Sequence, residues 1–345
     1  MSVRGRTVAM LACVVLAGCA GSSEGSADAP FTLPVGPTTW DTSAPAWLLD
    51  GTLHVGDATV ELGDDVDQFV LGATGVYWIR GGTLLFTSAE GVTHEVADVG
   101  WRNLAVSADR SVLATTDQSR GPTDRYGTHV MQVAAFDTRT GEQLYRTPDE
   151  KPDRGADLAD LYGEIMPLLH GVSTKHVFFD GATIDLEDGS REDATLDADG
   201  LEVYPHLADT LFPEGYRVGI TGEGRHRELS DSSLSGTGLL SPDRSAIFDT
   251  SAWPTKAVAH DAASGVQRAI GSPWEHFSLA GWSDADTFFG VAEQIDEDHV
   301  VNVVRARQVV TCELSTLRCE PVSPVVRTPD DGEPATLLVE GTSAL

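Results

Sequence analysis

The chain has 345 residues, with 23 basic and 53 acidic side chains, a formal net charge of −30 and an isoelectric point of about 4.4. Such a surface repels phosphate backbones, which proteins bind through lysine and arginine, so nucleic-acid binding is excluded as a function class. It also repels anionic lipid headgroups, so no basic patch can hold the chain on a membrane. Only Lys151, Lys175 and Lys256 supply lysine, and the abundance of Ala, Gly, Asp and Arg has the coding bias of a GC-rich, actinobacterial-type source.

In chain order, the first element is Met1–Arg6, with Arg4 and Arg6, followed by the uncharged run Thr7–Ala17 (TVAMLACVVLA). That run is too short for a permanent span of a hydrocarbon core roughly 30 Å thick. It fits the apolar core of a secretory signal. It ends in Leu16-Ala17-Gly18-Cys19, which resembles the bacterial lipobox. The resemblance implies that residues 1–18 are a signal peptide and that Cys19 carries a diacylglycerol, with palmitate-type acylation anchoring the chain on the extracytoplasmic side of the cell membrane. More than one acyl chain holds a soluble domain firmly, at about 0.8 kcal/mol per buried CH₂. Residues 20–30 (AGSSEGSADAP) have the small, polar composition of a tether. The expected organisation is a signal at 1–18, the lipidated cysteine and linker at 19–40, and one domain at 41–345. Loss of residues 1–18 removes two arginines and no acid, leaving 21 basic against 53 acidic groups, about −32. The acid excess reads as solubility before it reads as cation binding.

Amphipathic helical periodicity is nearly absent. Short apolar or alternating runs dominate: Gln68–Gly72, Val76–Arg80, Thr83–Thr87, Val130–Phe136, His176–Asp180, Ala246–Asp249, Ala257–His260 and Asp286–Val291. Gly, Asp, Ser and Thr separate them, as in an all-β chain of hairpins. Two segments align without gaps, Val106-Ser-Ala-Asp-Arg-Ser-Val112 and Leu240-Ser-Pro-Asp-Arg-Ser-Ala246. Downstream of each comes a second shared element, Phe136-Asp-Thr-Arg-Thr-Gly141 and His260-Asp-Ala-Ala-Ser-Gly265, and Phe86–Gly91 has the same shape. Looser copies of the first element lie at Gly171–His176, Leu207–Leu211 and Trp282–Asp286. The unit is therefore strand A, tight turn, strand B, loop, strand C, turn, strand D, which is the blade of a β-propeller.

The Ser-x-Asp-Arg-Ser turn between apolar strands resembles the repeats of TolB-like and WD40-like propellers over roughly residues 45–325. The resemblance implies a single propeller, and counting units along the chain gives about seven blades. The units run near 46–63, 64–100, 101–150, 164–190, 195–230, 234–271 and 273–323. The first lacks a strand, so a terminal segment is expected to close the ring. Six or eight blades also suit the spacing, and a pair of β-sandwiches is the rival fold.

In such a meander the B–C and D–A loops share one face, and the A–B and C–D turns share the other. The long connections Thr116–His129, Pro148–Glu164 and Glu293–His299 all fall on the first face, where repeat proteins carry their binding elements. Ala156–Ile165 is expected to form one short helix over the rim.

Catalytic motifs give little. The literal Gly21-x-Ser23-x-Gly25 lies in the tether and lacks the strand and helix a nucleophile elbow needs. Asp197-Ala198-Asp199-Gly200 begins like a calcium loop, but its twelfth position is His206 in place of Glu. Asp296-Glu297-Asp298-His299 is contiguous, without the spacing that makes ligands converge, and the ten histidines show no metal-ligand spacing. No metal, cofactor or catalytic residue is assigned. Trp40, Trp47, Trp78, Trp101, Trp253, Trp274 and Trp282 mostly fall at strand positions and are read as core. Cys312 and Cys319 remain in an oxidising compartment. Aligning Cys312–Cys319 on Phe136–Gln143 sets them directly opposite on the last C–D hairpin, with Glu313 opposite Arg318, and predicts a disulfide. Two function classes remain: a non-catalytic binding or scaffold module for a protein or small molecule, and a propeller hydrolase or lyase with acid/base carboxylates in the central funnel.

Overall fold

Short β-rich runs punctuated by turn residues leave each strand only a few residues to pair, so the chain folds as successive antiparallel meanders. The computed structural model describes residues 32–40, 45–100, 103–196, 202–206, 238–241, 243, 245–249, 254–261, 264, 266–284, 286–296, 303–329 and 335–342. Blade 1 contains β1 (Trp47–Leu49), β2 (Thr52–Val55) and β3 (Ala58–Glu61). Blade 2 contains β4 (Gln68–Leu71), β5 (Gly75–Arg80), β6 (Thr83–Ser88) and β7 (Thr93–Asp98). Blade 3 contains β8 (Leu104–Val106), β9 (Val112–Asp117), β10 (Gln132–Asp137) and β11 (Gln143–Arg146). The helix α1 (Leu158–Glu164) precedes blade 4, which contains β12 (Leu169–Val172), β13 (His176–Phe179), β14 (Ala182–Asp185) and β15 (Arg191–Asp193).

A two-stranded pair follows, β16 (Thr195–Leu196) with β17 (Glu202–Val203). Blade 5 contains β18 (Gly238–Leu240), β19 (Ala246–Asp249), β20 (Val258–Asp261) and β21 (Gln267–Ala269). Blade 6 contains β22 (His276–Trp282), β23 (Thr287–Asp296), β24 (Val303–Glu313) and β25 (Arg318–Pro321), and β26 (Val326–Arg327) also pairs with β24. The last strand, β27 (Leu337–Val339), pairs with β1 and completes blade 1 in the sheet order β27-β1-β2-β3.

This is an all-β propeller closed by its C-terminal strand. Six four-stranded blades are present among the described residues, against about seven expected. The difference falls on the expected unit 195–230. Its described part is the β16–β17 pair, and residues 207–230 lie outside the described residues. The copy read there, Leu207–Leu211, lacks the serine that opens the A–B turn at Ser107, Ser173, Ser241 and Ser283. In all four of those turns the serine N–H donates to the carbonyl of the first or second residue beyond the turn: Val112, His176, Ala246 and Thr287.

The repeated turn is a small hydrogen-bonded ring. Asp109 Oδ1 accepts from Ser107 Oγ (2.8 Å), Ser111 N (3.1 Å) and Ser111 Oγ (2.7 Å), and Val112 N donates to Ser107 Oγ (3.0 Å). Asp243 does the same with Ser241 Oγ (2.6 Å), Ser245 N (2.9 Å) and Ser245 Oγ (2.8 Å). Partial burial pushes both carboxyls up, but the serine and backbone hydrogen bonds outweigh it and hold them below the usual carboxylate range.

Burial follows strand position. The B and C strands are packed between neighbouring blades, as in β5, β9 and β10, while the D strands β7, β15 and β21 are largely exposed and polar, which blunts their free edges. One core cluster joins Trp47, Tyr77, Phe136, Phe289 and Val339 from blades 1, 2, 3 and 6. Another joins blades 3 and 4 to Leu158 and Tyr162 of α1. Among the described residues no helix is long and apolar enough to cross a membrane.

Candidate functional site

The two long insertions around blade 3 meet. Asp124, on the B–C loop, accepts from Tyr126 N (2.8 Å) and Thr128 N (2.9 Å) through Oδ1. Its Oδ2 accepts from Leu158 N (2.8 Å) at the start of α1. Burial raises this carboxyl, but the four backbone N–H groups of Leu158, Thr128, Tyr126 and Gly127 outweigh it and hold the group below its usual range. The helix is capped by Asp157, whose side chain accepts from Asp160 N. Tyr162 anchors its inner face: the phenolic oxygen accepts from Met131 N (2.8 Å) and the ring is buried. The helix expected over Ala156–Ile165 therefore forms at Leu158–Glu164 and is fastened to the neighbouring loop.

Leu158 and Tyr162 turn inward, and the other residues of the helix are exposed. Leu161, at the edge of the buried stripe, is 46% exposed, and Ile165, the extended residue that ends the helix, is 70% exposed. Leu168 and Tyr126 are exposed as well, and the Arg125 guanidinium lies over the Tyr126 ring at 4.5 Å. Asp160 and Glu164 flank this apolar row and are exposed.

The third insertion extends blade 6. Strands β23 and β24 are the longest among the described residues, and their ends on the insertion-rich face carry ion pairs. Glu293 is directly opposite Arg307 on one side and His276 on the other. Arg307 Nε donates to Glu293 Oε1 (3.1 Å), and Arg305 Nη2 donates to Asp296 Oδ2 (3.1 Å). Beside this row is a cleft of about 430 Å³ lined by Trp274, His276, Glu293 and Asp296 among others. Glu293 and His276 are both buried. The cleft is suited to a polar group that exchanges hydrogen bonds with charged side chains beside an indole.

The opposite face holds the turns and the chain ends. Glu340, after β27, is fully buried; its Oε1 accepts from Leu71 N (2.8 Å) and its Oε2 from Arg110 Nη2 (2.7 Å). Arg110 sits in the repeated turn of blade 3 with a left-handed φ of 58°. The Glu340 carboxylate is thus spent on closing the ring.

Of the residues singled out from sequence, Cys312 and Cys319 are bonded to each other and directly opposed, with Glu313 opposite Arg318. Cys19, the Gly21–Gly25 motif, Asp197–Gly200 and Glu297–His299 lie outside the described residues. Trp78 and Trp282 are core residues, Trp47 stacks on His54 at 3.7 Å, and Trp274, half-buried, packs against the core of blades 5 and 6 and also lines the cleft. Among the described residues no group of three His, Cys, Asp or Glu side chains converges on a metal position. Asp124, Tyr162 and the His276–Glu293–Arg307 row were not singled out. Their partners are far apart in sequence, and only the placement of the insertions pointed toward them.

No family model matches the chain, and no curated protein does either. Among solved structures it is similar to a putative TolB from Agrobacterium tumefaciens, at 10% identity and a TM-score of 0.39 over 86% of this chain and 97% of that one. It is similar to an oligogalacturonate lyase in complex with manganese, at 11% identity and a TM-score of 0.37 over 90% and 89%. It is also similar to BamB from Moraxella catarrhalis, at 12% identity and a TM-score of 0.30 over 82% of each. At these values the likeness bears on neither activity nor partner, and the propeller stands on its sheet order and ring closure.

Proposed function

We propose that this chain is an extracytoplasmic binding or scaffold module, held on the membrane by lipid on Cys19 after loss of residues 1–18, that takes a protein partner on its insertion-rich face. The observation that carries the reading is the pair of insertions locked by Asp124, which present Tyr126, Leu161 and Ile165 to solvent on a rigid base. Exposed aromatic and aliphatic anchors on a preorganised surface are the usual centres of protein interfaces. Asp160 and Glu164 beside them suit a partner whose apolar surface is rimmed by basic residues.

The carboxylates Asp109, Asp124 and Asp243 are engaged as turn acceptors and held in the ionised form, which suits architecture and not general-acid work. A second reading, a hydrolase or lyase, draws support from the cleft, where buried Glu293 and His276 are opposed.

The test is native electrophoresis of membranes solubilised in mild detergent. The wild-type chain should migrate as a complex well above 36.6 kDa. Leu161→Asp with Ile165→Asp should dissociate it, since anchors of this kind contribute about 2 kcal/mol or more each. Glu293→Gln should leave the complex intact. A complex lost with Glu293→Gln and kept with the helix variant would move the function to the cleft.

A further inference from the structure

The chain leaves the propeller from one particular face. Leu33 N donates to Gly141 O (2.9 Å) in the C–D turn of blade 3. The Tyr77 hydroxyl donates to Pro34 O (2.9 Å), and Gly36 N donates to Thr74 Oγ1 (3.0 Å) in the A–B turn of blade 2. Thr38 Oγ1 donates to Glu90 in the C–D turn of the same blade. Leu33 is buried in the core cluster shared by blades 1, 2, 3 and 6. Residues 33–38, placed by the sequence in the linker 19–40, thus form a strap across the turn face.

The seat is shaped for the strap. A Cβ on Gly36 would lie 2.5 Å from Thr74 O, and a Cβ on Gly141 would lie 2.0 Å from Leu33 O. Both contacts are with backbone, so neither yields cheaply. All four strap contacts are with A–B or C–D turns or the strand beside them. The insertions, the α1 surface and the cleft lie at the other ends of the same strands.

We infer that the turn face is the membrane-proximal side of the propeller, and that the strap holds the insertion-rich face pointing away from the bilayer. The anchoring clause rests on the reading of Cys19 given above. Fourteen peptide steps separate Cys19 from Leu33, which at about 3.3–3.6 Å per residue can span at most about 50 Å. That is enough to clear the headgroups. Starting at the turn face, it favours that face toward the lipid. Acidic turns at Glu90, Asp109, Asp188 and Glu313 oppose close contact with anionic headgroups, so the face stands over the surface without lying on it. A partner therefore reaches Tyr126, Leu161 and Ile165 from the far side.

The experiment reads orientation apart from natural lipidation. Residues 19–345 are coupled through the Cys19 thiol to phosphatidylcholine vesicles containing a maleimide-headgroup lipid and an acceptor dye lipid. A fluorescent amino acid is placed at Arg139, on the turn face, or at Ile165, on the insertion face; the Arg139 side chain is 60% exposed and Ile165 is 70% exposed. The faces are separated by about 20 Å, the length of a six-residue strand at ~3.3 Å per residue, so transfer at position 139 should exceed that at 165 by about twofold or more. Gly36→Val, which unseats the strap, should bring the ratio toward one while circular dichroism reports a folded ring. Equal transfer in the unsubstituted strap, or greater transfer at 165, overturns the orientation. Labelling cells with an alkyne fatty acid, with Cys19→Ser as control, tests the anchor separately; its failure removes the natural lipid but not the orientation set by the strap.

Discussion

Replacing Glu340 by alanine removes the carboxylate that ties the closing strand to two other blades. In the wild type it accepts from the Leu71 backbone of blade 2 and from the Arg110 guanidinium of blade 3, with Glu340 fully buried and the Arg110 side chain only 8% exposed. Deleting one partner of a buried ion pair leaves the other charge desolvated and costs about 3–5 kcal/mol. The orphaned Leu71 N–H falls within that cost and is not additional to it. For a chain of this length the loss corresponds to a fall in Tm of about 5–10 °C. Urea unfolding followed by tryptophan emission measures it, since Trp78 in blade 2 and Trp282 in blade 6 are both buried reporters. Because the ring closes through β27, the summed emission should still change in a single transition. Arg110→Met with Glu340→Leu replaces the pair by apolar groups and leaves the Leu71 N–H unpaired, so it should lose about 1–3 kcal/mol, less than the single variant. A Glu340→Ala protein within about 1 kcal/mol of wild type, or a double variant no more stable than the single one, would mean that the buried pair does not hold the closing strand.

Three further outcomes follow from the same structure. His170, on the innermost strand of blade 4, is buried against Tyr204, and burial lowers its pKa to about 4. Between about pH 6.5 and 4 the unfolded chain binds a proton that the folded chain refuses, so stability should fall as pH drops through this window, by up to about 3 kcal/mol. His170→Gln should flatten that slope, and an unchanged slope in urea midpoints against pH would assign it to other groups. Below the ordinary aspartate range a second loss should set in, because Asp109 and Asp243 have folded pKa values held down and lose their turn hydrogen bonds on protonation. Removing the Cys312–Cys319 bond by paired serine substitution should cost about 2–3 kcal/mol at most, given the short loop it closes. Mass spectrometry of the non-reduced protein checks the bond itself, and two alkylatable thiols there would contradict it.

The repeats were readable because the turn needs particular atoms. An aspartate oxygen must gather serine hydroxyls and amides at Asp109 and Asp243, so the residues recur wherever the geometry recurs. The C–D turns behave alike: Asp137 and Asp185 each accept from two following amides and precede a positive-φ glycine, Gly141 and Gly189. Ring closure was readable from a first unit one strand short, and the cysteine register from the length of the hairpin. Other features left no local trace. Arg110 and Glu340 are 230 residues apart, and neither residue type announces a buried partner. The strap at 33–38 looked like linker because its hold is mostly backbone hydrogen bonding, which composition does not encode. The cleft joins Trp274 and His276 to Glu293 and Asp296 through strand register alone.

In the proposed function, the insertion-rich face is the binding side of a membrane-held propeller. Photo-crosslinking in intact cells tests it most directly, with a photoreactive amino acid placed singly at Tyr126 or Ile165 on that face and at Asp109 or Arg139 on the turn face. One discrete protein adduct is expected from positions 126 and 165, lost when Leu161→Asp is added, and none from 109 or 139. The same adduct arising from the turn-face positions, and absent from 126 and 165, would contradict it.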